Sequence, residues 1–174
     1  MTEEPAAQRL QRYRSAWHDT PGVADLASRL PTEQQIEAVW ALSDFAAHTC
    51  LRNPLLLADL HTAGLLESRY QGGEMAAALA AALQGVSDEA ALEVQLRRFR
   101  QREMLRIVWR DLGGLASLDE TLEDLSELAD VCIRQALECL YGWATAKSGV
   151  PRTADGTAQQ LIVLGMGKLG AREL

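Results

Sequence analysis

The chain has 174 residues, 48% of them hydrophobic, and a formal net charge of −7. That length is enough for a domain with a real core, and that hydrophobic share excludes wholesale disorder. The acidic balance argues against general nucleic-acid or anionic-membrane binding, and no apolar run approaches the length of a bilayer span.

The first residues, Met1-Thr-Glu-Glu-Pro5, carry no basic stretch followed by an apolar one, so no signal peptide is expected. From there the punctuation is helical. Thr20-Pro21 and Asn53-Pro54 each place a capping residue before a proline suited to the first helical position. Thr32 with Gln35, and Ser117 with Glu120, read as capping boxes. Gly72-Gly73, Gly85 and Gly113-Gly114 read as breaks. The predicted helices are residues 7–18, 21–30, 33–52, 54–63, 74–84, 88–112 and 118–147. In the last of these, apolar residues at 118, 122, 125, 129, 132, 136, 140 and 143 predict one buried stripe.

The 88–112 segment poses an electrostatic problem. Leu92, Leu96, Phe99 and Ile107 share a helical face with Glu103, Arg106 and Arg110, while Leu105, Val108, Trp109 and Leu112 cover the opposite one. Its second half should therefore be buried, and charges inside a buried helix need partners. Asp119, Glu123, Glu127 and Asp130 on the 118–147 helix are the expected ion-pair partners. The sharper alternative sends an arginine to a phosphate or a neighbouring domain. Arg98 and Arg102 lie on the flank and should be solvated.

Other candidate groups are weaker. His18, His48 and His61 have no cooperating motif, and His48 reads as a packed or edge residue. Cys50, Cys132 and Cys139 have no metal-binding or redox spacing, an odd and sparse set that suits a reducing cytoplasm. Cys132 and Cys139 fall on one helical face and read as core. Trp17, Trp40, Trp109 and Trp143 are spaced for helix packing. The acidic run from Asp119 to Asp130 reads as a solvated face.

Composition changes at 149–158, a polar loop taken as a linker. Beyond it, the apolar run Leu161–Leu164 predicts a buried strand, followed by a glycine-rich turn, Gly165-Met-Gly-Lys-Leu-Gly170. Gly165, Gly167 and Gly170 match GxGxxG. Glycines let the backbone approach a ligand, and amides at a following helix start suit a phosphate. Four readings remain open on spacing alone. A dinucleotide fold needs an acidic residue about 20 positions later. A Walker P-loop is disfavoured, because leucine rather than Ser or Thr follows Lys168. A nucleotidyltransferase holds a nucleotide on such a turn, with carboxylates on a neighbouring strand for Mg²⁺. The plain alternative is a tight strand–helix connection without ligand.

The segment LIVLGMGKLGAREL, Leu161–Leu174, closely resembles the start of the N-terminal nucleotidyltransferase domain of the bifunctional glutamine synthetase adenylyltransferase/adenylyl-removing family of bacterial nitrogen control. Ala171 stands where the family often has glycine. Arg98–Leu112 resembles that family's FRxRxMxRIxWxD helix, preceded by a similar Val86-Ser-Asp-Glu-Ala90, and Ser43-Asp-Phe45 and Asn53-Pro54 fit more loosely. Met166 resembles the N-terminal catalytic copy rather than the C-terminal one, which more often reads GYGKLGG.

The resemblance implies a mainly α fold: an all-helical N-terminal domain over 1–148, the linker 149–158, and an incomplete α/β nucleotidyltransferase domain from 159 to 174. It implies an enzyme that transfers AMP from ATP to a tyrosine of glutamine synthetase and removes it with phosphate as ADP. Mg²⁺ would serve both reactions, and glutamine and the PII signalling protein would set their balance. Gly165, Gly167, Lys168 and Gly170 carry over as the nucleotide-side loop. No catalytic or metal-binding residue carries over, since the family's metal-binding aspartates would lie past Leu174. The chain alone should be silent. The alternatives are a helical protein-interaction module and a truncated dinucleotide-binding oxidoreductase.

Overall fold

A computed structural model describes residues 4–174, and they are mainly helical. The long helices are α1 (Ala6–His18), α2 (Glu33–Leu42), α3 (Asp44–Arg52), α4 (Pro54–Thr62), α5 (Glu74–Ala82), α6 (Glu89–Leu112) and α7 (Leu118–Ser148), followed by a single turn, α8 (Lys168–Ala171). No strand forms among the described residues. An isolated antiparallel bridge joins Arg152 to Ala158.

The capping chemistry explains most boundaries. Thr32 accepts from the Gln35 amide at 3.3 Å while the Gln35 side chain accepts from the Thr32 amide at 3.0 Å, so the predicted box opens α2. Pro54 opens α4 at its first position, where a missing N–H costs nothing. The single helix predicted over 33–52 is two. Ser43 adopts an extended φ of −144°, and its hydroxyl accepts from the Ala46 amide, ending α2 and capping α3. The helix predicted over 21–30 is a short 3-10 segment, Ala24–Arg29. Thr20 does not cap it: its hydroxyl donates back to the Ala16 carbonyl at 2.7 Å. Thr32→Ala should therefore cost about 1 kcal/mol, and Arg98→Ala, at an exposed position, about 0.5 kcal/mol or less. Denaturant melts of the two variants check both values.

The described residues gather into two compact units. The first holds the chain up to Tyr70 together with Gln101–Thr121. Its core joins Tyr13 and Trp17 of α1, Ile36, Val39 and Trp40 of α2, Ala46, Ala47 and Cys50 of α3, Leu57 and Leu60 of α4, and Leu105 and Trp109 of α6. Trp17 and Trp40 meet edge to face at 5.3 Å, and Tyr13 meets Trp40 the same way at 6.2 Å. Trp17, Trp40 and Trp109 thus pack as their spacing predicted, while Trp143 is only half-buried. At the margin, Arg9 pairs with Asp44 at 2.9 Å, and the Tyr13 hydroxyl reaches Asp44 at 3.1 Å. Burial, then this carboxylate, pushes the Tyr13 hydroxyl up. His48 lies edge to face with the Tyr13 ring, as an edge residue should.

The second unit holds Gln71–Arg100 and Leu122–Leu174. Its buried apolar side chains include Met75 and Leu79 of α5, Leu92 and Phe99 of α6, and Leu128 and Val131 of α7. The α7 stripe is rotated from the one predicted. Positions 124, 128 and 131 are buried, positions 122, 125, 129, 132, 136 and 143 are half-buried, and Leu118 and Leu140 are exposed. Asp124 is buried on that rotated face and Ser126 on the other side of the helix, so the acidic run is not a wholly solvated face. Residues 149–158 form a tight reversal, with Thr153 donating its amide to the Thr157 carbonyl and Gln159 to the Pro151 carbonyl. Asp155 accepts from the Thr153 hydroxyl and the Thr157 amide, which holds its carboxyl below the usual range.

Candidate functional site

Two constellations stand out, one in each unit. In the first unit the second half of α6 is buried nearly all round, as its composition predicted, and Glu103 and Arg106 are both fully buried. Arg106 Nε donates to Glu103 Oε2 at 2.8 Å, one helical turn away. The Arg106 guanidinium lies 4.1 Å from the centre of the Tyr70 ring. Tyr70 donates its hydroxyl to Glu103 Oε1 at 3.2 Å, and Arg102 donates both to that hydroxyl and to Glu103. Burial first, then Glu103, raises the Tyr70 hydroxyl above its ordinary range. Arg102 is half-buried in this cluster rather than solvated. Burial works against its charge, but Glu103 and Tyr70 hold its proton more tightly than usual.

Arg110 acts as a tie between three chain segments of the same unit. It donates to the Leu66 carbonyl at 3.2 Å, the Leu115 carbonyl at 3.2 Å and Glu120 at 2.7 Å. Ser117 caps α7 through the Glu120 amide as predicted. The Glu120 side chain, however, leaves the capping box for Arg110. The buried arginine therefore finds its carboxylate on α7, one position beyond the expected Asp119. These contacts make Arg110 a structural group.

The second constellation is the glycine turn. Gly165, Gly167, Lys168 and Gly170 all lie in one reversal that opens α8. Gly167 has φ +62° and ψ −134°, a conformation essentially confined to glycine. A Cβ added to Gly170 would sit 2.7 Å from the Gly165 carbonyl oxygen. Two of the three motif glycines are thus required by the backbone itself. Lys168 is exposed, and the first amides of α8 have no acceptor within the helix by geometry. Before the turn, Leu161–Leu164 forms no strand, and its side chains are 51–80% exposed. A strand needs a neighbour to satisfy its backbone groups, and none pairs with it here.

Other candidates carry no such arrangement. Cys50, Cys132 and Cys139 form no disulfide; burial pushes the Cys50 thiol up to about 12, which leaves it unreactive. Cys132 and Cys139 are half-buried rather than deep in a core. The first unit has a cleft of about 410 Å³ beside Trp17, His18, Pro31, Glu33 and Ile36, and no residue of the glycine turn lines it. Among the described residues, no three His, Cys, Asp or Glu side chains converge as metal ligands, and no helix is long and apolar enough to cross a membrane. The carboxylates around the turn do not fit Mg²⁺: Glu173 is exposed, Asp130 is paired with Arg172 at 3.1 Å, and Mg²⁺ wants carboxylates gathered with substrate phosphates.

Tyr70 was not legible as a site residue. Its partner Glu103 lies 33 positions away, and its own surroundings carry no motif. The readable signal was on α6 alone, where Glu103 and Arg106 are three apart on a face that had to be buried.

Comparison with known proteins covers most of the chain. A family model described as glutamate-ammonia ligase adenylyltransferase matches residues 33–174. A bifunctional glutamine synthetase adenylyltransferase/adenylyl-removing enzyme of Thioalkalivibrio sulfidiphilus is 54% identical over 136 residues, which is 78% of this chain and 14% of that protein. Enzymes with the same name from Nitrosococcus oceani and Pseudomonas putida are 48% and 40% identical over 86% and 99% of the chain. The chain spans 16% and 18% of those two relatives. The matched stretch includes both the buried arginine helix and the glycine turn, and the chain belongs to the glutamate-ammonia ligase adenylyltransferase family.

Proposed function

We propose that this chain is the N-terminal part of an enzyme that adenylylates and deadenylylates glutamine synthetase. The observation that carries the reading is the match running through Gly165–Leu174, where Gly167 and Gly170 have backbone reasons to be glycine. In the forward direction the tyrosine hydroxyl of glutamine synthetase would attack the α-phosphorus of ATP and expel pyrophosphate. In the reverse direction, phosphate would attack the α-phosphorus of the AMP–tyrosine ester, freeing the hydroxyl and giving ADP. Gly165, Gly167, Lys168 and Gly170 form the nucleotide-side loop, with backbone amides and the Lys168 ammonium near a phosphate. The run Leu161–Leu164 is the first strand of the nucleotidyltransferase sheet. Mg²⁺ serves the chemistry through carboxylates outside residues 159–174. The PII signalling protein and glutamine set the balance of the two reactions, and cysteines outside any disulfide suit a cytoplasmic setting.

The test uses adenylylated glutamine synthetase with Mg²⁺ and phosphate. Residues 1–174 alone should leave the AMP in place. The same residues within a protein of the family's full length should release ADP in a phosphate-dependent way. AMP removal by the 174-residue chain, cleared of contaminating enzyme, would overturn the division of roles. Absence of any release by the longer protein would overturn the activity.

A further inference from the structure

Helix α7 does more in its unit than bury apolar surface. Three of its side chains hold the segment that carries the glycine turn. The Tyr141 hydroxyl donates to the Gln159 carbonyl at 2.6 Å, where the segment begins. Asp130 accepts from Arg172 Nη1 at 3.1 Å, just past α8. Ser126 Oγ accepts from the Leu174 amide at 3.5 Å. Positions 126, 130, 133, 137 and 141 rise along one side of a helix at spacings of three and four. Between the polar anchors, Ile133 and Leu137 line a cleft of about 220 Å³ together with Gly165 and Leu169. Leu169 is the one half-buried residue of 161–174.

Arg172 is the informative member. It has φ +58°, the only positive value among the described residues that are not glycine. It occupies the position after α8 where a glycine normally closes the helix: its amide donates to the Leu169 carbonyl at 3.1 Å and the Glu173 amide to the Lys168 carbonyl at 2.8 Å. Glycine would adopt this conformation without strain. The chain instead places there a side chain long enough to reach Asp130, one turn of α7 below Arg134 in the same cleft.

We infer that α7 is the platform that orients the glycine turn, with Asp130 and Arg172 as positioning residues that fix the attitude of α8. The inference rests on the nucleotide-loop reading for its catalytic meaning, but the docking itself does not. Asp130 touches no substrate in this scheme. It acts through Arg172 on the backbone that presents Gly167 and Lys168.

Two measurements test it. In the 174-residue chain, Asp130→Ala and Arg172→Gly should each speed amide exchange of residues 166–173 by about 1.5–5-fold, the scale of one exposed ion pair. The exchanged pair Asp130→Arg with Arg172→Asp should restore protection. Arg172→Gly is the sharper variant, because it relieves backbone strain: if strain rather than the ion pair governs the turn, protection rises, and the inference is overturned. In a full-length enzyme of the family, Asp130→Ala should raise KM for adenylylated glutamine synthetase in phosphate-dependent ADP release more than it lowers kcat, leave the melting temperature unchanged, and be rescued by the exchanged pair. Unchanged KM and kcat, with Gly167→Val still inactivating, would overturn the positioning role while sparing the nucleotide reading. Full activity of Gly167→Val would overturn the nucleotide reading and the catalytic half of this inference together.

Discussion

Arg106→Ala is expected to cost about 3–5 kcal/mol of stability, the range for removing one partner of a buried pair. Arg106 and Glu103 are both fully buried, and Arg106 supplies the Nε–H bond at 2.8 Å and the cation over Tyr70 at 4.1 Å. Truncation leaves the Glu103 carboxylate inside the protein with a charge-bearing partner removed. Arg102, on the half-buried side, cannot replace the contact to Oε2. Removing both charges with apolar side chains of similar size, Glu103→Leu with Arg106→Met, should recover much of the loss, since the penalty lies in the stranded charge. Equilibrium urea denaturation decides it. A single variant that melts within about 0.5 kcal/mol of wild type, the scale of surface changes, would show that the cluster is not a structural ion pair.

Gly167→Val should lower phosphate-dependent ADP release by a full-length family member about 100-fold, the scale of a displacement of about 1 Å at reacting groups. The cause is steric. A β-branched residue cannot hold φ +62° with ψ −134°, so the peptide after Met166 must rotate and carry Lys168 with it. Gly170→Ala should act in the same direction, because its new methyl meets the Gly165 carbonyl oxygen at 2.7 Å. Met166→Leu, at an exposed and unconstrained position, should leave the rate unchanged. The melting temperature of Gly167→Val should match wild type, since the turn adds little buried surface. Retention of half the wild-type rate would remove the turn from the active site.

Local chemistry was readable wherever a boundary rests on a few neighbouring residues. Thr32 with Gln35, Pro54, and Ser117 each announce a helix start, and each start is found. The break at Ser43 escaped notice because Ala46, not Glu or Gln, stands three positions on, and apolar periodicity runs through it. Glu120 looked like a reciprocal capping residue, and only the fold brings Arg110 within 2.7 Å of it. The α7 stripe lies roughly one position from the predicted one, with Asp124 buried beside Leu128 and Val131, and a buried carboxylate on that face is not encoded by hydrophobicity. Arg102 looked solvated because Tyr70, 32 positions away, is invisible to helix periodicity. At the turn, two of the three GxGxxG positions, Gly167 and Gly170, have backbone reasons for glycine. The strand before it was legible only as a potential, since a strand is a property of two segments.

Leu161–Leu164 therefore has a consequence for how this chain behaves in solution. Four aliphatic residues, two of them the β-branched Ile162 and Val163, lie exposed in a stretch, Gln159–Gly167, that contains no charge. Such a stretch is a template for intermolecular pairing: two copies can satisfy each other's backbone groups and bury each other's side chains. Arg152 upstream and Lys168 and Arg172 downstream act as charged gatekeepers, but two of the three are engaged, Arg152 with the Gly156 carbonyl and Arg172 with Asp130. Self-association should thus set in with rising concentration and salt, starting from this segment while the helices remain folded.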